Sequence, residues 1–127
     1  MGMPAVASRP TDARRVTRFA GVAGVLWGGL LLWRGRAVWL ALDRRPPSEV
    51  DELATTVLGL RHLAQGGAQL ITPDRFQRLF VAVDVLHALS MVALAAADER
   101  RRRPALVTGS AAAAAALLTV VARRRRA

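Results

Sequence analysis

The sequence predicts an all-α integral membrane protein, an antiparallel four-helix up-down bundle. Three observations predict it. Hydrophobic residues make up 53% of the 127-residue chain and come in runs separated by charge clusters. The clusters are arginine, and they bracket the runs: Arg14, Arg15 and Arg18 precede the first, Arg100 to Arg103 precede the last, and Arg123 to Arg126 follow it. Proline marks the breaks, at Pro46-Pro47, Pro73 and Pro104. Flanking arginine anchors a span at lipid headgroups, and proline ends one helix or opens the next.

The formal net charge is +10, and all of the positive charge is arginine. A basic balance of this size raises nucleic acid as a partner. Its placement at the ends of apolar runs makes the lipid bilayer the expected partner instead, with no nucleic acid. Cysteine is absent, which excludes disulfides and thiolate metal sites. No cofactor is expected. A basic start before an apolar run also resembles a signal peptide, but Arg34 and Arg36 follow Trp33 where a small-residue cleavage site would stand. The segment is therefore expected to stay, in a multi-pass protein of the plasma membrane.

The elements follow in order. Residues 1–15 are expected to be a flexible basic tail, 16–122 a transmembrane domain, and 123–127 a second basic tail. Span one is placed at about 19–36. Its charge-free part, Phe19 to Trp33, is about 15 residues or about 22 Å of helix at 1.5 Å per residue, short of the roughly 30 Å hydrocarbon core. Arg18 and Arg34 can snorkel to extend it. Trp33 and Trp39 suit an interfacial belt, and Ala37 to Leu42 suit an interfacial segment. Arg44-Arg45-Pro46-Pro47 breaks the chain. Ser48 is then an N-cap, with Asp51 three residues on and acids in the first turn to complement the helix dipole. Span two is expected at 49–71. Thr72-Pro73-Asp74 reads as its end and as the start of span three at 73–97, with Thr72 the cap and Pro73 the first helical position. So short a turn makes spans two and three an antiparallel hairpin. Span four, 104–122, opens at Pro104 and contains the run Ala111 to Ala116.

Two spans carry residues that hydrocarbon does not welcome. Span two has Arg61, His62, Gln65 and Gln69, and span three has Asp84 and His87. An Arg or Asp at a span centre costs about 2.5 to 3.5 kcal/mol on insertion scales, so each needs a partner. At 100° per residue, Arg61, His62, Gln65, Gln69, Thr55, Gly59 and Gly66 share one arc of about 160°. Leu53, Val57, Leu60, Leu63, Ala64, Ala68 and Ile71 fill the other. On span three, Gln77, Asp84, His87, Ala88 and Met91 share an arc in the same way. Counting outward from the turn at Pro73 puts Arg61 and His62 level with Asp84 and His87. The expectation is an ion pair between Arg61 and Asp84, direct or through water, with both histidines close by. Gly59 and Gly66, seven apart on one face, are expected to permit close helix packing.

The cluster can be structural glue that fixes helix register. It can also be a functional site, a proton or ion relay or a polar-ligand pocket. His62, Asp84 and His87 form a two-His-one-carboxylate metal set by residue type alone. No glycine-rich phosphate loop, nucleophile elbow or zincin motif is present. A Ser–His–Asp set from Ser90, His87 and Asp84 would come from one helix, which is poor geometry for a triad. The residue patterns favour a protein that is not an enzyme.

The run Gly59-Leu60-Arg61-His62-Leu63-Ala64-Gln65-Gly66 and the later Asp84-Val85-Leu86-His87-Ala88-Leu89-Ser90-Met91 resemble a family of short actinobacterial multi-pass membrane proteins. The likeness covers residues 50–122. Arg61, Gly66 and an acid in the next helix also resemble the DoxX-like four-helix membrane proteins. Both resemblances imply a multi-pass helical fold, and neither brings a reaction. Small multidrug transporters have a similar size, but their first span carries a glutamate and Phe19 to Trp33 carries no acid. Three functions remain. The chain can be an accessory or scaffold subunit of a membrane complex, self-associating or joined to other subunits. It can be a small proton- or ion-coupled transporter built on Arg61, Asp84 and the histidines. It can be an enzyme acting on a lipid or a quinone.

Overall fold

The computed structural model describes residues 10–124. Among these the fold is all-helical, with four long helices: α1 Pro10–Asp43, α2 Glu49–Ile71, α3 Gln77–Ala97 and α4 Arg102–Arg124, the last entered through a 3-10 turn at Glu99–Arg101. Three of them are long and apolar enough to cross a membrane: α1 from Arg14, α3, and α4 with its 3-10 entry. The helix expected as span two, α2, is not among them. Its Arg61, His62, Gln65 and Gln69 dilute the apolar residues of its outer arc.

Local chemistry sets most of the boundaries. The helix α1 does not stop at the arginines after Trp33; it bends at Arg34 (φ −126°, ψ 24°) and runs on to Asp43. No proline lies between Arg34 and Asp43, so helix resumes after the bend, and the stretch 37–42 expected at the interface forms the segment beyond the kink. Arg44 ends it in the left-handed region (φ 59°), its N–H bonded to the Leu40 carbonyl at 2.9 Å. The tails are shorter than expected. Residues 10–15 already belong to α1, and Arg123 and Arg124 close α4, while 1–9 and 125–127 lie outside the described residues.

Ser48 and Asp51 make a capping box at the start of α2: each side chain serves the other's backbone N–H. The start of α3 differs from expectation. Thr72 closes α2 instead of opening α3; its N–H and its hydroxyl both donate to the Ala68 carbonyl. Pro73 lies buried in the turn, and α3 starts only at Gln77, after Phe76 in the left-handed region (φ 64°). A threonine hydroxyl can bond back to its own helix as readily as forward to the next, and here the backward bond wins. At the other end of α3, the Asp98 carboxylate caps the 3-10 turn through Arg100 N–H at 2.9 Å. Pro104 sits in the first turn of α4, where a missing N–H costs nothing.

The packing has a particular order. α1 lies against α2, α3 against α4, and α1 against α4. Gly21 faces Gly66 and Gly28 faces Gly59, so α1 and α2 run antiparallel; Gly109 faces Met91 and Ala88 where α4 returns along α3. Sequential α2 and α3, expected as a packed hairpin, meet through side chains and not through close backbones. The small face of α2 is already spent on α1, and the remaining gap is bridged by long polar side chains.

The interior is unlike that of a water-soluble domain. Among the described residues the buried apolar side chains are Leu31, Phe80, four alanines (Ala95, Ala105, Ala112 and Ala116) and the prolines Pro73 and Pro104. Buried beside them are Thr17, Asp51, Gln69 and Asp84. The large apolar side chains stand outside on every helix: Phe19, Leu26 and Trp33 on α1, Leu53, Val57 and Leu60 on α2, Leu79, Leu86 and Leu89 on α3, Leu117 and Leu118 on α4.

Candidate functional site: a polar seam between two helix pairs

The gap between α2 and α3 is closed by one carboxylate and two donors. Asp84, 4% exposed, accepts from Arg61 Nη2 at 2.7 Å through Oδ1. Gln65 Nε2 donates to both carboxylate oxygens at 3.1 Å. Gln65 Oε1 in turn lies 3.4 Å from Arg61 Nη2. The three side chains therefore form a closed triangle. Arg61 and Gln65 are one turn apart on α2 and point the same way, while Asp84 comes from α3. Three such contacts satisfy a buried carboxylate.

The other residues of the expected cluster are placed differently. His62 turns toward α1: its Cβ would meet a Cβ on Gly28 at 3.1 Å. Gln69 is buried against Gly21 on the same side. His87, one turn beyond Asp84 on α3, borders a cavity described below. Its Nε2 is buried without a hydrogen-bond partner among the described residues, as are Nε and Nη1 of Arg61. Gly59 and Gly66 both lie in the α1–α2 seam, at van der Waals limits. Among the described residues no three His, Asp or Glu side chains gather as a metal-holding group, so the set His62, Asp84 and His87 is not assembled. Nor is a triad: Ser90 Oγ donates to its own helix at Leu86, 2.8 Å away.

A second ion cluster sits at the far end of the same interface, and sequence reasoning missed it. Asp51, 2% exposed, accepts from Arg101 Nε at 2.7 Å. Arg101 Nη1 reaches Asp98 at 2.7 Å. The second oxygen of Asp51 takes both the backbone N–H (2.9 Å) and the hydroxyl (2.7 Å) of Ser48. One carboxylate thus caps α2 and ties it to the α3–α4 corner. Weaker exposed pairs, Arg14–Asp74 at 2.7 Å and Arg36–Glu52 at 3.2 Å, bind α1 to the α2–α3 turn and to α2.

The cavity lies between these two clusters. It has a volume of about 280 Å³ and touches all four helices, with Trp27, Leu31 and Trp39 from α1, Leu58 from α2, Met91 and Leu94 from α3 and Ala105 from α4. His87 borders it on one side, Asp51 and Arg101 on another. A second nitrogen of this lining, Trp39 Nε1, is likewise buried without a hydrogen-bond partner among the described residues.

Two devices therefore hold the bundle: a glycine seam inside the α1–α2 pair and two ion clusters that join α2 to α3 and to the α3–α4 corner. Comparison with protein-family models, with curated proteins and with solved structures finds no match to this chain.

Proposed function

We propose that this chain is a small multi-pass membrane protein that serves as an accessory or scaffold subunit of a membrane complex. One observation carries the membrane part. Large apolar side chains are exposed on every helix, while the interior holds few of them, chiefly Leu31 and Phe80, among alanine, glycine and polar groups. In water this arrangement would leave the hydrophobic driving force unused. In hydrocarbon it is the expected one, since helices there associate through small residues and polar contacts. On this reading α2 crosses as a fourth span. Its polar residues are shielded by α1 and by the Asp84 triangle, and its outer arc of Leu53, Val57 and Leu60 faces lipid. Both termini then lie on one side of the plasma membrane. The resemblance to short actinobacterial membrane proteins fits the same picture.

The scaffold part rests on the closure of the triangle. Asp84 has its oxygens filled by Arg61 and Gln65, which suits a register-fixing contact better than a site that must open and reload. The test is a double replacement. Arg61→Leu with Asp84→Leu, in a well-inserted protein, is expected to keep the native complexes seen by crosslinking and native gels. Loss of those complexes without loss of insertion would overturn the scaffold role. A prior test concerns the membrane itself: the chain should remain in the pellet after alkaline carbonate extraction of cell membranes and be released by mild detergent.

A second reading, a small proton- or ion-coupled transporter, draws on the buried nitrogens of Arg61 and His87 that lack a partner among the described residues, His87 being the one beside the cavity. Reconstituted vesicles with no proton- or substrate-dependent flux would remove it.

A further inference from the structure

We propose that the four-helix cavity is a binding site for a neutral, carbonyl-bearing lipophile, which docks its head against Trp39 and His87. The proposal rests on the membrane reading above, because such a molecule reaches the site from lipid.

The cavity's volume of about 280 Å³ lies just below the range of roughly 300–1,000 Å³ typical of drug-sized ligands. It holds one ring or a short acyl segment, and any longer tail must leave it. Its walls are mainly apolar, from Trp27, Leu31, Leu58, Met91 and Leu94. The polar groups that remain decide the head. Thr55 and Thr108 spend their hydroxyls on backbone carbonyls of their own helices. Asp51 and Arg101 are bound to each other, and Arg101 also to Asp98. The cavity therefore offers no unspent charge, and a charged ligand would lose its hydration with nothing to replace it.

Two buried nitrogens are left: Trp39 Nε1, which can only donate, and His87 Nε2, which donates or accepts according to its tautomer. Unpaired nitrogens in apolar surroundings are costly. Water is a poor substitute, because a buried water needs two to four polar partners and the lining supplies few. A ligand oxygen that accepts from the indole N–H meets the need. A carbonyl on an apolar body is the simplest group that does so. A prenylated quinone and a neutral acyl lipid both carry one.

The experiment uses the full chain in lipid nanodiscs. A short-tailed benzoquinone is titrated while tryptophan fluorescence is followed; Trp27 also lines the cavity and reports the approach. Saturable quenching is expected. An alkane matching the tail should not displace the quinone. Displacement by a monoacylglycerol would show that any lipid carbonyl is taken. Failure of the monoacylglycerol to displace it would assign the site to the quinone. Trp39→Phe keeps the ring and removes the donor, and should weaken binding about tenfold, the worth of one hydrogen bond. His87→Leu should weaken it and His87→Gln should restore it, which separates recognition from fold. Three results would overturn the site: quenching that rises linearly as simple partitioning does, equal displacement by the alkane, or unchanged affinity in Trp39→Phe. Any of these in protein that is recovered from membranes leaves the membrane reading standing; protein recovered lipid-free in the aqueous phase ends both.

Discussion

Gly28 on α1 and Gly59 on α2 stand so close that a Cβ placed on Gly28 would lie 2.6 Å from the Gly59 carbonyl oxygen and 2.9 Å from Leu63 N. The neighbours are backbone atoms and cannot swing aside. Gly66 repeats the relation one heptad away, where a Cβ would lie 2.6 Å from the Gly21 carbonyl. The seam thus depends on hydrogen-sized side chains at facing positions of an antiparallel pair. Gly28→Ala is expected to destabilise the bundle by about 1 to 3 kcal/mol, the usual cost of overpacking. A methyl group on Gly29 or Gly67 would meet nothing within 4 Å. Alanine there should be neutral or stabilising by up to about 1 kcal/mol, through helix propensity. Thermal unfolding in detergent, followed by circular dichroism, compares the three variants. Equal losses in all three would mean that close approach is not what the glycines provide.

The Arg61–Asp84 pair predicts a cycle of mutants. Removing either partner leaves a buried charge without its counter-charge, which costs about 3 to 5 kcal/mol. Arg61→Leu and Asp84→Leu are each expected to lower the amount of folded protein sharply. The double leucine variant should recover most of it, because an apolar pair of similar size needs no solvation. The check is the yield of monodisperse protein after detergent extraction, measured for all four members of the cycle. A double variant as poor as the worse single one would show that the pair supplies something apolar packing cannot.

Parts of this architecture are legible in the sequence and parts are not, for physical reasons. The Arg61–Asp84 contact is legible because a short turn at Pro73 fixes which residues share a level, and because a lone cation and a lone anion in apolar runs must meet. Gln65 follows from sharing the Arg61 face. The start of α3 is hidden: Thr72-Pro73 has the residues of an N-terminus, and only the direction of the Thr72 hydroxyl, toward Ala68, shows otherwise. The extent of α1 is hidden as well. Arg34 and Arg36 look like a span's end, yet arginine is a good helix former and no proline or glycine pair follows until Pro46. The glycines Gly21, Gly28 and Gly35 recur every seven residues and face α2; that spacing is the sequence signal for the mate of Gly59 and Gly66. Asp51 is the instructive miss. As the third residue of a capping box it has a sufficient local role, which masks the second one. Counting outward from Pro73 places it near the end of α3, within reach of a long side chain such as Arg101.

That double role makes Asp51 separable by mutation. Ser48→Ala removes the hydroxyl, which accepts from Asp51 N–H and donates to the Asp51 carboxylate, and should cost about 1 kcal/mol. Arg101→Met removes the cation but leaves the Ser48 bonds to Asp51. Asp51→Ala removes cap and ion pair together and should exceed Ser48→Ala by a clear margin. Hydrogen exchange distinguishes the two functions. Ser48→Ala should loosen only the first turn of α2, whereas Arg101→Met should also raise exchange around Asp98 and the start of α4. Confinement of the Arg101→Met effect to its own turn would show that the contact does not join the two helix pairs.

The tryptophans test the proposal that the outer faces of the helices meet lipid. Trp33 is 83% exposed, with Arg34 stacked 6.0 Å from its ring. Trp27 and Trp39 instead turn partly inward and line the cavity. In vesicles made with brominated lipids, which quench only by contact, Trp33 should therefore dominate the quenching. Trp33→Phe is expected to remove most of the quenchable emission, while Trp27→Phe and Trp39→Phe leave most of it. Moving the bromines along the acyl chain then places Trp33 in depth. Arg34 beside it favours a level near the headgroups, where an aromatic ring and a guanidinium are both well solvated. Quenching shared equally among the three would mean that lipid enters between α1 and its neighbours. No quenching of Trp33 at any depth would mean that this apolar face does not meet hydrocarbon, and the inside-out arrangement of the bundle would need another partner to cover it.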